Sequence, residues 1–205
     1  TDESRAQVAF TWRNLRQQTA KREGVANKCL ADYVAPKTFD GRPSGLQDWI
    51  GMFAVTAGLG IEKKEAEFAR LLDDYSSIML KAIADRLAEA FAECLHQRVR
   101  RDLWGYAPDE ALTNDELIRE RYRGIRPAPG YPACPEHAVK RPMFEVLRAA
   151  DLGITLTESF AMHPASSVSG FYLSHPAAEY FNVGPVGDDQ IQDLARRSDR
   201  DVEAL

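Results

Sequence analysis

Arg126, Gly130 and Tyr131 sit in the stretch GIRPAPGYPACPEH, Gly124–His137, together with Pro127, Pro129, Pro132 and Pro135. Proline fixes φ and pushes its predecessor to extended geometry, so neither a helix nor an inner strand tolerates this spacing. The alternation Arg126-Pro127-Ala128-Pro129 instead builds a stiff, extended strip whose carbonyls cannot all be spent in ladders. Arg126 brings a planar fork suited to a carboxylate or phosphate. Tyr131 brings a flat apolar face with a polar tip. Gly130 lets the backbone turn, or lets a ligand approach where a Cβ would clash. The stretch suits a ligand that carries a carboxylate and a flat ring. The same residues would also serve as a rigid connector between helices, with Arg126 on a surface acid.

Other groups with chemical potential are sparser. Asp85, Glu89 and Glu93 recur every four residues beside Arg86, so they share a helix face. Such a stripe can meet a cationic ligand or hold a proton, and it can equally be a solvated face. Cys134 and His137 form a single C-x-x-H with no second ligand pair at zinc spacing, and Cys94 and His96 point different ways on a helix. Ser166, Ser167 and Ser169 lie near His163 and His175 without a G-x-S-x-G elbow. There is no P-loop, and Gly58-Leu59-Gly60 is not a dinucleotide fingerprint.

The elements that must position these residues read as a mixture. Val8–Trp12 and Trp49–Ala57 are short apolar runs expected as strands, with a loop over 36–46 between them. Phe68, Leu72, Tyr75, Met79, Ile83, Leu87, Phe91 and Cys94 recur at spacings of three or four. They predict a helix over 62–100, roughly 55 Å if unbroken, for which a bend or break is expected. Interleaved alanines widen its apolar arc, so a centrally placed helix covered on more than one side is expected. Thr113 to Glu116 has the form of a capping box opening a helix to Arg123. A further helix is expected from Pro135 to Ala150. Ile154–Phe160 and Val168–Leu173 read as a hairpin-like pair, and Glu179–Gly184 as a short aromatic strand or turn. Asp188–Arg197 reads as a helix, and Ser198–Leu205 as the start of another.

With 205 residues the chain can form one domain with a sizeable core. Its net charge of -5 argues against a nucleic-acid partner, since phosphate binding wants excess Lys and Arg. No apolar run approaches the roughly 18 residues of a membrane span, so no membrane partner is expected. The opening TDESRAQVAF has no apolar signal core, and three widely spaced cysteines read as reduced thiols. A cytoplasmic protein is the expectation.

Several long stretches, in order along nearly the whole chain, resemble the C-terminal activation domain of cobalamin-dependent methionine synthase. They include CLADYVAPK (Cys29–Lys37), ADRLAEAFAECLHQRVR (Ala84–Arg100), WGYAPDE (Trp104–Glu110), the proline stretch, LTESFAM (Leu156–Met162) and SVSGFYLSHP (Ser167–Pro176). The resemblance implies a C-shaped α+β domain with a twisted antiparallel sheet and long helices. It implies a partial domain over 1–205, truncated at its N-terminus and short of the usual C-terminal end. The implied work is methionine synthase reactivation. S-adenosylmethionine is bound and its methyl presented to oxidised cobalamin, while a flavodoxin-like donor supplies an electron. Cobalamin would be held mainly by a separate cobalamin-binding domain, and this chain alone would lack the full methyltransferase activity.

The family's R-x-x-x-G-Y motif matches Arg126, Gly130 and Tyr131. The resemblance puts Arg126 on the methionine carboxylate and backbone groups of the strip, Ala128 included, on the adenine. The family's C-terminal aromatic pair matches Tyr180 and Phe181, where a second tyrosine is common in place of Phe181. Glu89 and Glu120 match acids near the S-adenosylmethionine site. A sulfonium favours carboxylates and aromatic faces, the latter at roughly 0.5–2 kcal/mol each. An upstream aspartate of the family has no counterpart in this chain, which implies affinity reduced on the order of tenfold to a hundredfold. Missing upstream strands would leave a sheet edge open to self-association. Two other readings stand beside this one. The first is a docking module for a cobalamin domain or flavodoxin-like reductase that has lost S-adenosylmethionine. The second is a stand-alone small-molecule methyltransferase, for which no acceptor-activating base stands out.

Overall fold

Periodicity marks two unlike faces on the long helix, and the computed structural model, which describes residues 7–204, shows which face the sheet takes. The expected break falls at Leu71–Asp73, between helix α1 (Ile61–Arg70) and helix α2 (Asp74–Arg98). Leu72 has φ 54°, and the Asp73 side chain accepts the Ser76 N–H at 3.0 Å, which caps the new helix. The buried positions of α2 are Ala84, Ala88, Ala92 and His96, one small row four residues apart.

The large apolar residues expected in the core lie instead on the outer face, from Leu72 (88% exposed) and Tyr75 (74%) to Leu87 (57%) and Phe91 (49%). Met79, Ile83 and Cys94 are exposed with them. The physical reason is distance: a row of alanines lets the helix axis approach the sheet more closely than leucine or phenylalanine would.

That sheet pairs strand β3 (Gly51–Thr56) with strand β6 (Ser167–Tyr172), antiparallel, with Gly51 opposite Tyr172 and Thr56 opposite Ser167. Phe53 and Val55 of β3 and Tyr172 of β6 pack with Ala92 and Val99 beyond the helix end. The expected hairpin between Ile154–Phe160 and Val168–Leu173 does not form. Strand β4 (Thr155–Leu156) pairs with β5 (Met162–His163), and β6 goes to β3. Nearly every residue of β6 is buried, so it needs cover on both faces and an inner place that a two-strand hairpin cannot offer. A third small ladder, β1 (Thr38–Phe39) with β2 (Arg42–Pro43), lies within the expected loop. The fold is therefore α+β with small antiparallel sheets. The edge of β3 away from β6 has no strand partner among the described residues.

The main core lies on the other side of β6. Leu30, Ile125, Met143, Phe171 and Leu173 meet there, under helix α4 (Lys140–Leu147). Val8–Trp12 forms no strand, but Trp12 stacks on Phe171 with ring centroids 3.8 Å apart. Helix α3 (Asn114–Ile118) opens with the expected Thr113–Glu116 capping box and ends earlier than the sequence predicts. Helix α4 starts later than predicted, at Lys140, because residues after Pro135 first make a turn. Residues 179–184 form neither strand nor helix. Helix α5 (Asp188–Ser198) ends at Asp199 in the left-handed region, and a short turn follows; Leu205 and residues 1–6 lie outside the described residues. No described helix is long and apolar enough to cross a membrane.

The assignment of faces on α2 has a direct test. Ala88→Leu should lower stability by about 1–3 kcal/mol through overpacking against the sheet. Ile83→Gln combined with Leu87→Gln should stay within about 0.5 kcal/mol per position. Urea melts of the two variants read this, and the opposite ranking would place the large residues against the sheet.

Candidate functional site

The proline strip runs along β6 on the side opposite β3. Ile125 exchanges both backbone hydrogen bonds with Leu173 at 3.0 Å, and the Pro127 carbonyl accepts the Phe171 N–H at 2.9 Å. Prolines cannot donate, so the strip can continue the ladder only by accepting, which it does at Pro127. Gly170 makes the approach possible, since a Cβ there would stand 2.7 Å from the Pro127 oxygen and 3.0 Å from the Phe53 ring. Beyond the strip the chain turns at Gly130, with φ +95°, and its N–H donates to the Cys134 carbonyl at 2.7 Å. A Cβ at Gly130 would sit 2.2 Å from His137 Cε1, so the glycine serves the turn. The Pro132 carbonyl then accepts the Val183 N–H at 2.9 Å, which ties residues 180–183 to the loop.

Those three pieces, with α2, enclose a cavity of about 500 Å³. Arg126, Ala128, Tyr131, Tyr180, Phe181, Glu89 and Glu120 all line it, although they come from four separate parts of the chain. Gly130 is not on its wall. Phe53, Pro127, Pro132, Ala133, Val168 and Asn182 complete the lining and were not nominated from sequence as ligand contacts. Phe53 and Val168 lie in runs read as strands, but which strand residues face a cavity depends on pairing. Tyr180 also accepts the Arg126 backbone N–H through its hydroxyl, at 3.0 Å. The cavity is of a size and kind that takes one small ligand, with apolar walls and a few polar groups.

Behind Arg126 lies a cluster that sequence reading missed except for Glu93. The Arg126 guanidinium meets Glu93 at 2.7 Å, the Tyr122 hydroxyl at 2.7 Å and His96 Nδ1 at 3.3 Å. Tyr122 and Arg126 are one helical turn apart in numbering, yet the chain between them bends, with Gly124 at φ 82°, and is not helical, so spacing alone carried no signal. Arg100 is fully buried and forms two 2.8 Å bonds to Glu110. It lies over the Tyr122 ring at 4.1 Å. Arg100 reaches this place because α2 ends in a π-helical turn, Val99–Leu103. His96 stacks on Tyr172 and meets the Tyr106 hydroxyl at 3.3 Å. Burial, reinforced by the Arg100 and Arg126 charges, pushes the His96 pKa down to about 2, so the ring is neutral. Burial pushes Tyr106 up to about 12 and raises Tyr122 and Tyr172 as well, so these phenols stay protonated.

The remaining sequence candidates fall elsewhere. Asp85 accepts the Ser166 hydroxyl at 2.6 Å, outside the cavity. Cys134 is buried, with its thiol pushed up to about 12 by burial. His137 Nδ1 lies 2.9 Å from Lys140 Nζ.

Fold and cavity together define an α+β ligand-binding domain with an arginine, two acids and four aromatic rings around one hollow. The family model described as "Vitamin B12 dependent methionine synthase, activation domain" matches residues 1–199, and the chain belongs to that family. A crystal structure of the MetH reactivation domain bound to AdoHcy is similar at 54% sequence identity and a TM-score of 0.91. The similarity covers 99% of this chain and 61% of that one, so the chain spans less than two thirds of that relative's length.

Neutral buried His96 sets a pH dependence. The unfolded chain takes up a proton at this residue near 6.5, and the folded chain does so only near 2. Below 6.5 the unfolded state therefore binds more protons, and stability is lost on acidification by up to roughly 1.4 kcal/mol per pH unit. Above 6.5 the contribution is complete. Denaturant melts between pH 7 and pH 5 should show a shallower acid limb for His96→Gln than for the parent chain; equal slopes would mean that His96 is protonated in the fold.

Proposed function

We propose that this domain binds S-adenosylmethionine and presents its methyl group for the reactivation of methionine synthase. One observation carries the reading. Arg126 and Tyr131 of the family's motif line one ready-made cavity with Ala128, Tyr180, Phe181, Glu89 and Glu120, in a chain 54% identical to a reactivation domain whose structure holds AdoHcy.

Each wall has a role. Arg126 takes the methionine carboxylate, a charge-assisted contact that its fork can make with two bonds. Ala128 and its neighbours offer backbone groups to the adenine from a strip already stiffened by proline, so little ordering entropy is lost on binding. Tyr131, Tyr180 and Phe181 offer ring faces, and Glu89 and Glu120 offer negative charge to the sulfonium and ammonium groups. At Phe181 the contact is by stacking, since the ring has no hydroxyl. The Tyr180 hydroxyl already accepts the Arg126 N–H, so that ring is held before a ligand arrives.

No side chain of this domain needs to act as a nucleophile. The acceptor for the methyl would be cobalamin, held by another domain and supplied with an electron by a flavodoxin-like donor. The domain contributes orientation of the sulfonium methyl toward that acceptor, which is catalysis by positioning.

Calorimetric titration with S-adenosylmethionine tests the reading. The parent chain should bind saturably, and Arg126→Ala should weaken binding about tenfold to a hundredfold. Folded parent chain without any heat of binding would instead favour a docking module for a cobalamin domain or reductase.

A further inference from the structure

A carboxylate meets a guanidinium best along one edge, through two parallel N–H···O bonds. Arginine has five N–H donors in a fixed plane, so which ones are already used decides which edge a ligand can take. In this domain Nη1 donates to the Tyr122 hydroxyl at 2.7 Å and meets His96 Nδ1 at 3.3 Å. Nη2 meets Glu93 Oε2 at 2.7 Å. Nη1 thus serves two acceptors, and Nη2 is ion-paired with Glu93. The Nε hydrogen remains, on the edge of the plane that it shares with Nη2. Nε has no hydrogen-bond partner among the described residues, and Arg126 lines the cavity.

The three partners are themselves held. An arginine N–H can only donate, so His96 Nδ1 must accept, which leaves the proton on Nε2 facing the Tyr106 hydroxyl at 3.3 Å. A neutral ring fits this role, whereas an imidazolium would repel the guanidinium. The other Glu93 oxygen points toward Arg100 Nη1 at 4.0 Å, so one carboxylate spans two arginines. Glu93 lines the adjoining hollow with Glu89, Glu120 and Arg126, and is not on the cavity wall itself. The Glu93 carboxylate therefore meets Arg126 from that adjoining hollow and not from the cavity wall.

We propose that Glu93, Tyr122 and His96 are positioning residues that grip the end of the Arg126 guanidinium and leave its Nε–Nη2 edge presented to the carboxylate of the ligand. This rests on the reading that Arg126 takes the methionine carboxylate. Glu93 contributes most, since it supplies the counter-charge.

Two ligands that differ only in the amino-acid part isolate the effect: S-adenosylhomocysteine and 5′-methylthioadenosine. Their affinity ratio for the parent chain, measured by calorimetry, reports the amino-acid contacts. Arg126→Ala should collapse that ratio roughly tenfold to a hundredfold. Glu93→Gln should lower the ratio about tenfold while binding of 5′-methylthioadenosine is unchanged, and Glu93→Asp should restore part of it. Tyr122→Phe, which removes only a hydroxyl, should move the ratio the same way by less. An unchanged ratio in Glu93→Gln, an equal loss for both ligands, or tighter binding of S-adenosylhomocysteine would each overturn the positioning role. A ratio indifferent to Arg126→Ala, or a parent chain that binds neither ligand, would overturn the reading of Arg126 and this inference with it.

Discussion

A guanidinium without access to water must find its counter-charge inside the protein, and Arg100 meets that requirement with Glu110. Breaking such a pair from one side leaves a buried charge, at a cost of about 3–5 kcal/mol. The arrangement around it follows from that constraint. The π-helical turn at the end of α2 places Arg100 inward, and the chain returns so that the Ala107 N–H donates to the Arg100 carbonyl at 2.9 Å. That return brings Glu110 to the guanidinium and Tyr106 to His96. Tyr122 is held beneath Arg100 and beside Arg126, and Tyr172 of β6 stacks on His96. One cluster thus joins the long helix, the returning loop, the start of the proline strip and the central strand.

The strip depends on the same strand from its other side. Its prolines remove donors and freeze φ, so it has few ways to attach, and it uses the carbonyls that proline leaves free. Gly170 is the matching concession in β6, where a side chain would strike the strip. The result is a polar backbone edge that is rigid before any ligand arrives, next to an arginine whose direction is set by the buried cluster. Rigidity here has a purpose, because each group already in place removes an ordering cost from binding.

Much of the cavity was legible through the family resemblance. Arg126, Ala128, Tyr131, Tyr180, Phe181, Glu89 and Glu120 were all nominated through motif resemblance, and all of them line it. Gly130 was nominated with them and serves the turn instead. Phe53 and Val168 escaped because a strand's inward side cannot be known until its partner is. The contacts of His96 and Tyr122 with Arg126 escaped for different reasons: His96 lies 30 residues away, and Tyr122, four residues away, reaches Arg126 across a bend that is not helical.

By itself the sequence determined the local events: the proline strip that no helix can include, the Thr113 cap, the helical period within 62–100 and the existence of the β3 and β6 runs. These follow from short-range sterics and hydrogen bonding, which depend only on neighbouring residues. Only the tertiary structure decided that alanines rather than leucines of α2 meet the sheet, that β6 pairs with β3, and that Arg126 pairs with Glu93. Those outcomes depend on how closely two surfaces approach and on which buried charge finds which partner. Both are settled between segments far apart in sequence, where periodicity and spacing carry no information.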